Sequence, residues 1–78
     1  MEELKTAEKV IGFKQSIKLI EENAAKRVYL AEDAEPHVRN PILEMCVAKN
    51  IEVVHVPTME ALGKAVEISV GSAVVTIY

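Results

Sequence analysis

Three short apolar runs constrain this chain most: Val28-Tyr29-Leu30-Ala31, Ile51 to Val56, and Ala73 to Tyr78. Each is brief and rich in β-branched or aromatic residues, which predicts strands. A strand with one wet face alternates apolar and polar side chains, whereas a nearly continuous apolar run is covered on both faces. Between these runs the spacing turns helical. Phe13, Ile17, Ile20 and Ala24 fall on one side of a helix, with Lys14, Lys18, Glu21 and Glu22 on the other. Strands covered on both faces and separated by helices predict an α/β fold. The expected form is a three-layer α/β/α sandwich around a small mixed sheet of about four strands.

Local signals set the expected boundaries. Leu4 to Val10 predicts a short opening helix, and Asn23 a stop for the helix that starts at Phe13. Glu32 to Arg39 reads as a polar connection broken by Pro36. Asn40-Pro41 has the form of an N-cap followed by proline at the first helical position, so a helix is expected over Pro41 to Lys49, ending at Asn50. Its apolar arc of Ile42, Leu43, Cys46 and Val47 is broad. Pro57 closes the second strand, and Thr58 caps a short helix through Lys64, with Glu60 in its first turn. Ile68 to Gly71 predicts a loop.

With 78 residues the chain is expected to form one domain over residues 1–78. At this size roughly 60% of the unfolded chain's surface is buried on folding, so stability should be modest. Only three residues are aromatic, two Tyr and one Phe, so the core must be aliphatic. The single cysteine, Cys46, excludes an internal disulfide framework and suits a reducing compartment. No apolar run approaches the roughly 20 residues of a membrane span. The acidic Met1-Glu2-Glu3 start lacks the pattern of a signal peptide. The expectation is a cytoplasmic protein with no membrane partner. A net charge of −3 argues against indiscriminate polyanion binding. A nucleic acid would have to be met at a small site chosen for shape.

Catalytic readings find little support. His37 and His55 lie far apart, and no close-spaced ligand pair suggests a metal site. Cys46 sits on an apolar arc, as a structural thiol does. The Glu32-Asp33-Ala34-Glu35 cluster suits a solvated turn better than a carboxylate pair. Gly12, Gly63 and Gly71 stand too far apart for a phosphate-cradling loop. No enzyme, metal or cofactor is expected. The remaining feature is Gly12-Phe13-Lys14-Gln15-Ser16-Ile17-Lys18. It places two lysines one helical turn apart, beside an amide that both donates and accepts, near a helix N-terminus. Periodicity alone favours a wet helix face over a polyanion grip.

Three segments then carry a resemblance that spans nearly the whole chain. Gly12 to Lys18 follows the pattern Gly-x-Asn/Lys-Glu/Gln-x-x-Lys. Leu30-Ala31-Glu32-Asp33-Ala34-Glu35-Pro36 follows apolar-Ala-x-Asp-x-x-Pro. Leu62-Gly63-Lys64-Ala65 is followed after an interval by Val70-Gly71-Ser72-Ala73. In this order and spacing they resemble the kink-turn RNA-binding ribosomal protein superfamily, the large-subunit seven-Ae and thirty-e type, and in particular its short bacterial members. The resemblance implies an α/β/α sandwich that recognises and stabilises a kink-turn, an RNA bent at a bulge beside tandem sheared G·A pairs. The partner would be ribosomal RNA, a riboswitch or another structured transcript, in or near the ribosome, and the protein would act as a monomer. By the same resemblance Lys14 and Gln15 address the G·A pairs, and Lys18 a guanine edge or phosphate. Gly12 permits close backbone approach. Glu35 meets a flipped-out base, and Ile68, Ser69, Val70, Gly71 and Ser72 wall it in.

Two departures from the family pattern carry expectations. Lys14-Gln15 stands where many relatives have Asn-Glu, and a lysine cannot accept a hydrogen bond, so discrimination should shift toward guanine O6 and N7. Glu67 stands where glycine is common, which predicts either backbone strain at positive φ or a different turn. A competing reading, from superfamily members that act through protein partners, is a protein-interaction module docking through Ile68 to Val70. The acidic charge fits that reading.

Overall fold

Two separate apolar clusters, one on each face of a single sheet, organise the chain. The computed structural model describes residues 2–78. In order they form α1 (Glu3–Thr6), β1 (Lys9–Ile11), α2 (Phe13–Glu21), β2 (Arg27–Ala31), α3 (Pro36–Lys49), β3 (Glu52–Val56), α4 (Met59–Ala65) and β4 (Val74–Ile77). The sheet order is β1-β4-β2-β3. β4 runs antiparallel to both β1 and β2, and β2 runs parallel to β3. The sheet is therefore mixed and four-stranded, as expected.

The alternation along β2 explains why its sequence is apolar from Val28 to Ala31. Val28 and Leu30 join Ile20, Ile42, Cys46 and Val74 in one buried cluster, under α2 and α3. Tyr29 and Ala31 point the other way, into a cluster with Leu4, Val56, Leu62, Val75 and Ile77 that α1 and α4 close. Successive strand residues face opposite sides, so a strand between two helical layers has no wet face. Cys46 belongs to the first cluster, and burial pushes its thiol pKa up. It stays protonated and acts as a small apolar side chain.

Two boundaries differ from the sequence reading. The opening helix stops at Thr6, and Lys9 to Ile11 is instead a strand, hydrogen-bonded along β4 with Val10 opposite Thr76. Three residues are too few to display a period. The strand exists because β4 offers a free edge to pair with. The second difference is that α3 begins at Pro36, five residues before Pro41. Pro36 occupies the first turn, where a missing N–H costs nothing. The Asn40-Pro41 pair imitates a cap but lies inside the helix, and Pro41 forgoes one intrahelical bond there. Burial of Ile42 and Cys46 on this helix outweighs that loss.

The remaining local signals hold. Asn23 and Asn50 follow the ends of α2 and α3 in the left-handed region, with φ of 58° and 59°. Thr58 caps α4, its hydroxyl accepting from the Ala61 N–H at 3.0 Å. Sequence reading missed Ser16, which is fully buried on α2 and whose hydroxyl has no hydrogen-bond partner among the described residues.

Candidate functional site

β1, β2 and β3 all end at the same edge of the sheet, and β4 starts there. Backbone bonds join the four segments that leave this edge. Gly12 N–H donates to Val74 O at 3.0 Å, Ala31 N–H to Ala73 O at 2.8 Å, and Glu32 N–H to Val56 O at 2.8 Å. The three sequence motifs therefore converge on one end of the molecule: the start of α2, the turn before α3, and the loop between α4 and β4.

Gly12 turns the chain from β1 into α2 with φ of 115° and ψ of 164°, which side chains with a Cβ rarely adopt. Space is not the reason within this chain, because a Cβ there would meet nothing within 4 Å. Beyond it, Lys14, Gln15 and Lys18 are all exposed on α2, while Ser16 and Ile20 face the sheet. Neither lysine pairs with a carboxylate among the described residues. The N-termini of α2 and α3 emerge on this edge, and neither helix has an acidic residue in its first turn. The dipole of α2, which starts at Gly12 without a carboxylate, thus adds positive potential to that of Lys14, whereas the Glu35 carboxylate at the N-cap of α3 offsets that helix's dipole.

The acidic turn is mostly engaged internally. The Glu32 carboxylate lies 3.6 Å from both Arg39 and His55. Asp33 Oδ1 accepts the Met59 N–H at 2.8 Å, so it caps the start of α4 from a distant segment. Glu35 is the N-cap residue of α3, but its side chain makes no cap bond and stays exposed, 3.7 Å from His37 Nδ1. A carboxylate on a fixed helix start, facing outward, is available to a donor group.

The loop over Ile68 to Ala73 is held as tightly as the turn. Ser72 N–H donates to Met59 O at 3.0 Å, so Met59 takes the turn's Asp33 through its N–H and the loop through its carbonyl. One residue clamps both sides of the site. Gly63 explains the Leu-Gly-Lys-Ala segment. A Cβ there would sit 2.2 Å from the Val70 carbonyl oxygen and 3.1 Å from Gly71 Cα. The loop lies directly on α4, and only glycine leaves it room.

Of the two expectations for Glu67, the structure shows the positive φ. Glu67 has φ of 62°. Its N–H donates to Lys64 O and that of Ile68 to Gly63 O, at 3.0 and 3.1 Å. This is the paired bonding of a Schellman helix end, in which the left-handed residue is ordinarily glycine. Ile68 packs back onto the cluster that contains Leu62, as such ends commonly do.

Between α4 and the loop lies a groove of about 590 Å³, lined by Asp33, Met59, Glu60, Lys64 and the backbone-rich stretch Ile68 to Gly71. Val70 at its rim is 68% exposed. Ser69 and Gly71 are also exposed, whereas Ser72 is buried and its hydroxyl donates to Val74 O at 3.1 Å. Ser72 thus has an internal role, under the wall that its neighbours form. Glu35 does not line this groove. Sequence reasoning missed Met59, Glu60 and Lys64 as lining residues and Asp33 as a positioning residue. For Lys64 and Asp33, membership of the motifs was the available signal. Among the described residues no three His, Cys, Asp or Glu side chains gather as a metal site would require, and no helix is long and apolar enough to cross a membrane.

An α/β/α sandwich whose sheet edge joins a cationic helix start to a clamped loop on Leu-Gly-Lys-Ala defines a recognisable class of small protein. The chain belongs to the Ribosomal protein L7Ae/L30e/S12e/Gadd45 family, which it matches over residues 1–78. It is similar to an RNA-binding protein of Halalkalibacterium halodurans, with 43% identity over 68 residues, covering 87% of this chain and 83% of the relative. RNA-binding protein YbxF of Geobacillus stearothermophilus is 40% identical over 68 residues, with the same coverage of 87% and 83%. Among solved structures, a Giardia lamblia 15.5kD RNA binding protein superposes with a TM-score of 0.81 at 27% identity, over 88% of this chain and 58% of that one. The chain thus spans less than two thirds of that protein's length.

Proposed function

We propose that this protein is a non-enzymatic, monomeric RNA-binding module of the cytosol that recognises and stabilises a kink-turn, in ribosomal RNA or in another structured transcript. The observation that carries the reading is that the start of α2, which bears Lys14 and Gln15, meets the Met59-clamped turn and loop at one sheet edge, with Lys18 exposed one helical turn beyond Lys14, in a chain of this family. Relatives at 43% and 38% identity carry the name RNA-binding protein.

The chemistry is consistent with that ligand. An undistorted A-form major groove is too narrow for side chains, so RNA is read where it is bent or unpaired. The two exposed lysines and the α2 start would meet backbone and guanine acceptors at the opened groove. The groove beside Val70 would take an extruded base, and Glu35, exposed at the start of α3 outside that groove, would offer an acceptor to a neighbouring group of the RNA. Binding shifts the RNA toward its bent form only by the difference in affinity for the two forms.

The deciding experiment compares a kink-turn RNA with the same RNA whose sheared G·A pairs are changed to Watson–Crick pairs. The first should bind at least tenfold more tightly, and equal affinity refutes the proposal. Replacing Lys14 and Lys18 with Ala should weaken binding to the kink-turn while leaving the unfolding midpoint of the free protein unchanged.

A further inference from the structure

A second groove, of about 450 Å³, runs along α2, between this helix and the outer edge of the sheet. It is lined by Val10, Gln15, Lys18, Leu19, Glu22 and Tyr78. Its size lies within the roughly 300–1,000 Å³ of small-ligand sites.

Three observations give it a specific chemistry. Tyr78 is 41% exposed, while Tyr29 is buried and Phe13 half-buried, so the chain's one exposed aromatic ring lines this groove. Val10 and Leu19 are half-buried apolar neighbours that would complete a floor for a flat, partly apolar group. Its polar lining on α2 is Gln15 and Lys18, of which Lys18 also shares a helix face with Lys14. An aromatic ring, an amide and a cation in one groove are what an unstacked nucleotide needs: a π-face, a donor–acceptor pair for a base edge, and a counter-charge for a phosphate.

Glu22, one helical turn beyond Lys18 at the C-cap of α2, limits the occupant. A second phosphate placed past Lys18 meets this carboxylate and the negative helix end, so the groove suits one nucleotide and not a longer strand. We propose that this groove takes a single unpaired nucleotide flanking the structured part of the bound RNA, its base stacked on Tyr78 and its phosphate on Lys18. The inference rests on the RNA-binding reading above and deepens it, because it adds the Tyr78 ring as a contact that a kink-turn alone does not occupy, with Lys18 shared between the two.

The test uses a blunt kink-turn RNA and two derivatives, each carrying a three-nucleotide single-stranded extension on one of its stems. Stacking on an exposed ring predicts that one extension raises affinity about tenfold. The gain should vanish in Tyr78→Ala and persist in Tyr78→Phe, which keeps the ring. The blunt RNA should bind all three proteins equally. No gain from either extension, or a gain that survives Tyr78→Ala, overturns the inference while leaving kink-turn recognition intact. Equal weakening of blunt and extended RNA by Tyr78→Ala gives the ring a structural role and also overturns it. Failure of the blunt RNA to bind the unaltered protein removes the proposed function, and this inference with it.

Discussion

Gly63→Ala is the most informative single change, because it tests whether the loop of the candidate site is set by contact with α4. The added Cβ would lie 2.2 Å from the Val70 carbonyl oxygen, well inside the 3.0 Å that real Cβ atoms respect. The obstacle is backbone, so no side-chain rotation relieves it. The loop must retreat by roughly 1 Å, and its anchors, Ile68 N–H on Gly63 O at 3.1 Å and Ser72 N–H on Met59 O at 3.0 Å, have little slack. Overpacking of this kind costs roughly 1–3 kcal/mol. Alanine's better helix propensity offsets about 1 kcal/mol of that, since Gly63 lies inside α4. The net loss of fold stability should be about 1 kcal/mol, while the loop bears most of the displacement. Urea unfolding measures the first effect, and amide exchange at Ser72, whose bond to Met59 should open more often, measures the second. Affinity for a kink-turn RNA should fall about tenfold, or roughly 1.4 kcal/mol. An alanine variant with unaltered stability and unaltered Ser72 protection would show that the close approach is not what positions the loop.

Three further perturbations separate the parts of the structure. Glu67→Gly relieves a left-handed residue at the end of α4, and the unfolding free energy should rise by about 1 kcal/mol in a denaturant titration. Asp33→Ala removes the acceptor of the Met59 N–H. It should cost about 1 kcal/mol of stability and also weaken kink-turn binding, because Met59 anchors the loop as well. The third concerns α1, where Arg27 hydrogen-bonds Glu3 and holds its carboxyl pKa below the usual glutamate range, with Tyr29 O–H also donating. A lowered folded pKa contributes stability above the ordinary carboxyl pKa, and the contribution is lost as pH falls through the lowered value. Unfolding midpoints of the unaltered protein and Glu3→Gln should therefore differ at pH 6 and converge at strongly acidic pH.

How much of the site was legible depends on how local its cause is. Lys14, Gln15 and Lys18 were visible as a helix face from spacing alone, and they are exposed on α2 as that spacing requires. Glu35 was visible only as part of an acidic run in an expected connection. Its actual setting is the N-cap of a helix five residues longer at its start than Asn40-Pro41 suggested. Ser72, grouped with the loop's contact residues, has its hydroxyl turned inward to Val74. Met59 could not be found at all. Nothing about a methionine after a capping threonine indicates that its N–H and carbonyl hold two distant segments.

The apolar continuity of Val28 to Ala31 and of Val74 to Ile77 determined the sandwich by itself, because a strand without a polar face requires cover on both sides wherever it sits in the chain. Helix ends were equally self-contained: Thr58, Asn23 and Asn50 act within a few residues of themselves. Only the tertiary structure decided that Lys9 to Ile11 is a strand, that Asp33 caps α4, and that Gly63 must be bare. In each case the partner comes from elsewhere in the chain: β4 for the first, α4 for the second, the Val70 carbonyl for the third. Hydrophobic period and capping are written in neighbouring residues, whereas these contacts exist only once the sheet has brought its four strand ends to one edge.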